Sequence, residues 1–273
     1  MSLKNAKVLT ISQSIHPFLD ECEMALTSRN LPQGILDSGN EIRVFMPKFG
    51  CINERRHQLH EVIRLSGMNL IINDTDHALL IKVASVPSAR MQVYFIDNEE
   101  YFKRKNILHD KNDKFHPDND ERALFFARGV LETVRKLGWV PDIIHLHGWM
   151  SAFAPLYIRQ RMADDPHFEN AKLVYSVYDE PKEALDKDLL KKLSMEGFSG
   201  EEVEALKKPT TDDLYKLGIA LSDAVVMGSP KLNKDLTAAV KASGKPVLDH
   251  VGPDEQVAAH VEFFQSVLEE ALV

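Results

Sequence analysis

Short apolar runs closed by turn-forming residues alternate with amphipathic stretches along most of this chain, and that alternation limits the fold more than any single motif does. The runs are Lys7–Ile11, Glu41–Met46, Val93–Ile96, Asp142–His145, Lys172–Val177, Ala224–Met227 and Pro246–Leu248. Apolar strands of this length separated by helical segments mark βαβ units. The expected fold class is therefore α/β: a doubly wound, mainly parallel, Rossmann-like sheet. Between Glu61 and Ile96 the pattern changes to "EVIRL", "NLIIN" and "HALLIKVASV", closely spaced around Gly67 and Asn73-Asp74-Thr75. That spacing predicts a β-meander or hairpin addition at the sheet edge.

Helical periodicity is clearest over Asp120–Lys136, where Leu124, Phe125, Ala127, Val130, Leu131 and Val134 form one stripe and Asp118 or Asn119 can cap the start. Further helices are expected over Ser151–Arg161, Thr211–Leu221, Lys231–Ala242 and Asp254–Leu272. The charged segment Glu180–Lys208 is expected to form short helices in a long excursion. With 273 residues and no repeat or linker, residues 1–273 are expected to form a single domain.

Charge and cysteine content exclude several function classes. Lys and Arg number 33 against 41 Asp and Glu, a net charge of −8 that disfavours nucleic acid and anionic membrane as partners. The short basic run Lys103-Arg104-Lys105 reads as a solvated loop. Cys22 and Cys51 are the only cysteines and lack the spacing of zinc or redox motifs, so reduced thiols are expected. No signal-peptide pattern opens the chain and no apolar window approaches eighteen residues, which together point to a cytoplasmic protein. The glycines include no GxGxxG and no GxxxxGK[ST], and HExxH and GxSxG are absent too. No metal and no cofactor are expected.

What remains is Pro141–Phe153, "PDIIHLHGWMSAF". On a strand His145 and His147 project to the same side, and open α/β sheets bind ligands beyond the carboxyl ends of their strands. Two readings stand: a ligand site, or a histidine satisfying backbone groups at the strand-to-helix turn with Trp149 in the core.

Several stretches, taken in order, resemble one family. They are His16-Pro17-Phe18, Leu31-Pro32, Gly39 to Pro47 ("GNEIRVFMP"), Val93 to Phe102 ("VYFIDNEEYF"), Asp118 to Arg122 ("DNDER"), Pro141 to Tyr157, and Leu217 to Pro230. Together they resemble the glycogen and starch synthases, glucosyltransferases of two-domain GT-B architecture, over about Lys7 to Pro230. The resemblance implies half of a GT-B fold: the N-terminal, acceptor-side domain, with most nucleotide-sugar contacts belonging to a C-terminal domain outside the match. Full-length members transfer glucose from ADP- or UDP-glucose to an α-1,4-glucan with retention and without a required metal. On this resemblance Asp118, Asn119, Arg122, His145, His147 and Trp149 are substrate-binding candidates, no residue is assigned a catalytic role, and capping stays open for Asp118 and Asn119.

The departures bear on activity. Where the family has K-x-G-G, an ungapped count places Asp20, Cys22 and Glu23, and with Glu21 three acids stand where a lysine and bare backbone would face a diphosphate. The family's H-x-H-D-W-H reads His145-Leu146-His147-Gly148-Trp149-Met150, and its T-x-H-N reads Ser176-Val177-Tyr178-Asp179. Three functions are consistent with this: a donor-incompetent domain that binds α-glucan or maltooligosaccharide or acts in regulation; an active half completed by a partner chain or a homodimer; and a structural protein whose cleft is filled, with residues 180–208 as the plug. Val257, Val261, Phe264, Leu268 and Leu272 give the last helix, 254–272, an apolar stripe that packs back on the domain or forms a dimer interface.

Overall fold

The computed structural model describes residues 3–86 and 89–269. In chain order its strands are β1 (Lys7–Ser12), β2 (Glu41–Pro47), β3 (His60–Glu61), β4 (Met68–Ile72), β5 (Thr75–Ser85), β6 (Gln92–Asp97), β7 (Ile143–His147), β8 (Lys172–Val177), β9 (Ala224–Met227) and β10 (Val247–Leu248). The helices are α1 (Glu23–Asp37), α2 (Glu99–Phe102), α3 (Asn119–Leu137), α4 (Phe153–Arg161), α5 (Leu189–Met195), α6 (Glu201–Glu204), α7 (Thr211–Leu221), α8 (Lys234–Ala242) and α9 (Gln256–Glu269).

The sheet runs β10-β9-β8-β7-β1-β2-β6-β5-β3, with β4 paired to β5. Strands β10 through β6 are parallel, as the apolar runs demand, because strands buried on both faces read as continuous hydrophobic stretches. The chain leaves β1 toward β2 on one side and later returns through β7 on the other, so the winding reverses between these two neighbours. The edge addition is an antiparallel hairpin of β4 and β5. Asn73 and Asp74 join them with φ of 48° and 59°, the left-handed pair that a two-residue hairpin turn requires. Of the three runs expected there, "EVIRL" is mostly turn, and only His60–Glu61 pairs with β5.

Helices pack as two groups, α1 with α9 and α3 with α4, α7 and α8. Strand β7 extends to His147, two residues past the expected end, because His147 stays in register with Ser12 of β1 and Ser176 of β8. Helix α4 begins at Phe153 after a 3₁₀ turn over Trp149–Ser151, and α8 begins at Lys234, capped by the Asn233 side chain. The 180–208 excursion forms the short helices α5 and α6. Lys192 of α5 is buried and anchors it, reaching Asp120 and Glu121 of α3 and Asp186 at 2.8 Å each.

Helix α9 lies on α1. Phe264 is fully buried, Val257, Val261 and Leu268 are partly buried against the core, and Leu272 falls outside the described residues. The contact is closest at Gly34, where a Cβ would stand 2.5 Å from Val257. A larger side chain there must push α9 away. Gly34→Val is expected to destabilise the protein by about 1–3 kcal/mol, the usual cost of overpacking. Hydrogen exchange should show faster exchange over 256–269 than elsewhere; unchanged protection there would contradict this docking.

Candidate functional site

The reversal between β1 and β7 opens a crevice beyond the strand ends, where open α/β sheets hold their ligands. Beside it lies a cleft of about 1080 Å³, walled by three loops. The loop after β1 supplies His16, Phe18, Asp20, Glu21 and Cys22; the loop after β2 supplies Cys51, Arg56 and His57; the loop after α2 supplies Lys105, Leu108, His109 and Lys111. Phe18 meets the His57 ring edge-on at 5.1 Å, and burial, aided by Arg56, lowers the His57 pKa. Three cations line the cleft, Arg56, Lys105 and Lys111, against the four carboxylates of Asp20, Glu21, Asp110 and Asp113.

The six substrate-binding candidates are not in this lining. His145 and His147 are fully buried, turned toward the α1–α9 layer. His145 Nε2 lies 2.7 Å from Ser176 Oγ, His147 Nδ1 lies 2.8 Å from Tyr178 Oη, and the two rings share a contact of 3.1 Å between His147 Nε2 and His145 Nδ1. His260 and Phe264 of α9 close over them, with ring centroids 5.7 Å and 5.2 Å from His145. Burial first, and then the neighbouring imidazoles, push His145 well below its ordinary pKa and His147 to about 3, while burial takes His260 to about 4. Burial thus favours the neutral imidazole at all three positions. Trp149 is buried too, tilted against Phe115 at 6.0 Å.

Asp118, Asn119 and Arg122 act on the cleft from behind. Asp118 occupies the cap position of α3 without capping it. Its carboxylate accepts two hydrogen bonds from Arg104, at 2.6 and 2.5 Å, which outweigh burial and hold its pKa below the usual value. Asn119 Nδ2 donates to the Leu108 carbonyl at 2.9 Å, and Arg122 Nη1 to the Ile107 carbonyl at 2.7 Å and to Asn119 Oδ1. The Arg122 guanidinium lies over the rings of both Phe49 and Phe102, at 5.5 and 5.4 Å. These residues thus fix the loop that carries Lys105 and Leu108. The basic run is correspondingly not a simple solvated loop: Lys103 is exposed, but Arg104 is paired and Lys105 lines the cleft.

Adjoining the cleft is an inner pocket of about 170 Å³ between the ends of β1 and β7, lined by Gln13, Ser14, Phe49, Met150 and Glu180 among others. Sequence reasoning missed Gln13 and Glu180. Their only signal is position, since each follows the carboxyl end of a parallel strand. Gln13 Oε1 accepts the Met150 N–H at 3.1 Å, Gln13 Nε2 donates to Glu180 Oε1 at 2.6 Å, and the Tyr215 hydroxyl donates to Glu180 Oε2. Burial raises the Glu180 pKa to about 7 against the lowering effect of these two donors. Gly148 has φ 80° and ψ 164°, a region open in practice to glycine alone, and a Cβ there would stand 2.5 Å from Gln13 Oε1. Gln13 therefore fills the volume that a side chain at 148 would need.

The acidic turn divides in two. Asp20 and Glu21 face the cleft, whereas Glu23 begins α1 and meets His250 Nε2 at 2.5 Å. Cys22 caps α1, its sulfur accepting the Ala25 N–H at 3.4 Å. Tyr178 is buried on His147, and Asp179 is exposed. Among the described residues no His, Cys, Asp and Glu group could hold a metal ion, and no helix is long and apolar enough to cross a membrane.

Comparison with known proteins converges on one family. The profile described as "Starch synthase catalytic domain" matches residues 7–248. A glycogen synthase of Chlorobaculum parvum (strain DSM 263 / NCIMB 8327) is 34% identical over 273 residues, covering 98% of this chain and 53% of its own length. One from Chlorobium limicola (strain DSM 245 / NBRC 103803 / 6330) is 39% identical over 179 residues, covering 65% of this chain and 37% of its own length. Among solved structures, the catalytic domain of starch synthase IV from Arabidopsis thaliana, bound to ADP and acarbose, superposes with a TM-score of 0.71 at 18% identity. That match covers 91% of this chain and 52% of the other. The chain spans about half the length, or less, of the curated relatives it matches.

Two stability predictions follow from the geometry. Histidines held neutral by burial stabilise the fold above their unfolded pKa of about 6.5, and that contribution is lost as pH falls toward their folded values. Each adds a slope of ~1.4 kcal/mol per pH unit in that window, and Glu180, whose folded pKa is raised, contributes with the opposite sign. His260→Leu should therefore gain stability relative to the parent as pH drops from 7.5 to 5 in urea titrations; a pH-independent difference would contradict the buried neutral cluster. Gly148→Asp should cost on the order of 1–3 kcal/mol from the backbone alone. Gln13→Ala should recover only the steric part of that loss, and a neutral Gly148→Asp would contradict this.

Proposed function

The chain belongs to the starch synthase catalytic domain family, and we propose that it serves in α-glucan binding or regulation as a synthase-like domain without donor competence of its own. The observation that carries this reading is the turn at the cleft mouth. Asp20 and Glu21 line the cleft, the resemblance sets Asp20, Cys22 and Glu23 against the family's lysine and two glycines, and a Cys22-capped helix starts at this point. Like charges at ~4 Å repel by about 1 kcal/mol in water and about 4 kcal/mol at an effective dielectric of 20. A diphosphate carries that cost, and a neutral glucan does not. Arg56, Lys105 and Lys111 lie on the other walls, so the cleft as a whole is close to neutral.

The competing readings have less support. Completion by a partner chain or second copy calls for an apolar rim, but the exposed large hydrophobics among the described residues are Leu26, Ile63, Ile71, Val140, Met195 and Val247, none of which lines the cleft. A filled cleft calls for the 180–208 excursion as plug, yet the main cleft is lined by residues 14–22, 51–57 and 105–113. A cytoplasmic location accords with the free, exposed thiols of Cys22 and Cys51.

Calorimetric titration with maltoheptaose, ADP-glucose and UDP-glucose tests the proposal. Heat from maltoheptaose and none from either nucleotide sugar is expected; micromolar binding of a nucleotide sugar would overturn it.

A further inference from the structure

The inner pocket brings together groups that the family resemblance does not assign. It lies where the winding reverses, between Gln13 after β1 and Met150 after β7, and Glu180 reaches it from the loop after β8. It shares Ser14, Leu19, Cys22, Ile107 and Leu108 with the large cleft, so a chain lying in the cleft can end there.

Glu180 is held from two sides. The Tyr215 hydroxyl and Gln13 Nε2 each donate to one of its oxygens, which fixes the carboxyl plane before any ligand arrives. Each carboxylate oxygen can accept a further hydrogen bond. The rest of the pocket is largely apolar, with Leu19, Phe49, Leu108 and Met150 on its walls. A fixed carboxyl among apolar surfaces suits a neutral ring with hydroxyls on its edge and C–H groups on its faces. In its ionised form it repels phosphate. Met150 also removes the family's histidine, leaving no imidazole in the lining of this pocket.

We infer that Glu180, positioned by Gln13 and Tyr215, is the specificity-determining residue of the cleft, accepting hydrogen bonds from vicinal hydroxyls of a terminal sugar ring. This rests on the glucan-binding reading and adds the group that does the recognising. Gln13 makes the arrangement possible, because it occupies the space beside Gly148 and points its amide at the carboxyl.

The test is calorimetry of the full chain with maltoheptaose, comparing the parent with Glu180→Ala and with Leu108→Trp, which fills the pocket and leaves the carboxyl in place; thermal melts establish that each variant is folded. Binding by the parent with a loss of about tenfold or more in both folded variants is expected, the scale of losing one or two hydrogen bonds. If the parent binds and both folded variants bind equally well, the inference is wrong and the glucan-binding reading survives. If the parent gives no heat with maltoheptaose, both fall.

Discussion

The pairing of β1 with β7 is the constraint on which the rest of the site depends. Five residue pairs, from Val8 with Ile143 to Ser12 with His147, hold the strands in register, and the next residues out must share the space where the sheet reverses. Gln13 and Gly148 are those residues. One carries a long amide and the other no side chain, and the amide occupies the space that a Cβ at 148 would need. The turn is built around Gly148 in a backbone region closed in practice to other residues.

The same register sorts the polar groups into a buried layer and an exposed one. Side chains two apart on β7 point to the same face, so His145 and His147 go together into the layer under α1 and α9. There they lose water, keep their hydrogen bonds to Ser176 and Tyr178, and remain neutral. The cleft keeps the charges. Asp118, Asn119 and Arg122 stand between the layers, spending their hydrogen bonds on the loop that forms one cleft wall.

Much of the fold was legible because burial on both faces leaves a plain mark: the parallel strands appear as apolar runs, and β8 and β9 match the runs read from sequence residue for residue. The Asn73-Asp74 turn was legible for the same reason, since few residues accept its backbone. Helix α1 was not, because Pro32 and the polar stretch Thr27–Asn30 blur its periodicity. The sites were less legible still. Sequence shows that His145 and His147 share a face but not that α9 covers it. Glu180 opens a charged segment that looks solvated, and its place in the cleft depends on Gln13, 167 residues away. Contacts of that range leave no local periodicity to read.

On the proposed function, this cleft offers the surroundings of a neutral sugar in place of those of a diphosphate. A crystal soaked with maltoheptaose and ADP-glucose together tests it most directly. Sugar density running along the cleft and ending in the pocket beside Glu180, with no diphosphate near residues 20–23, is the predicted result. Phosphate density resting against Asp20 and Cys22 would contradict it.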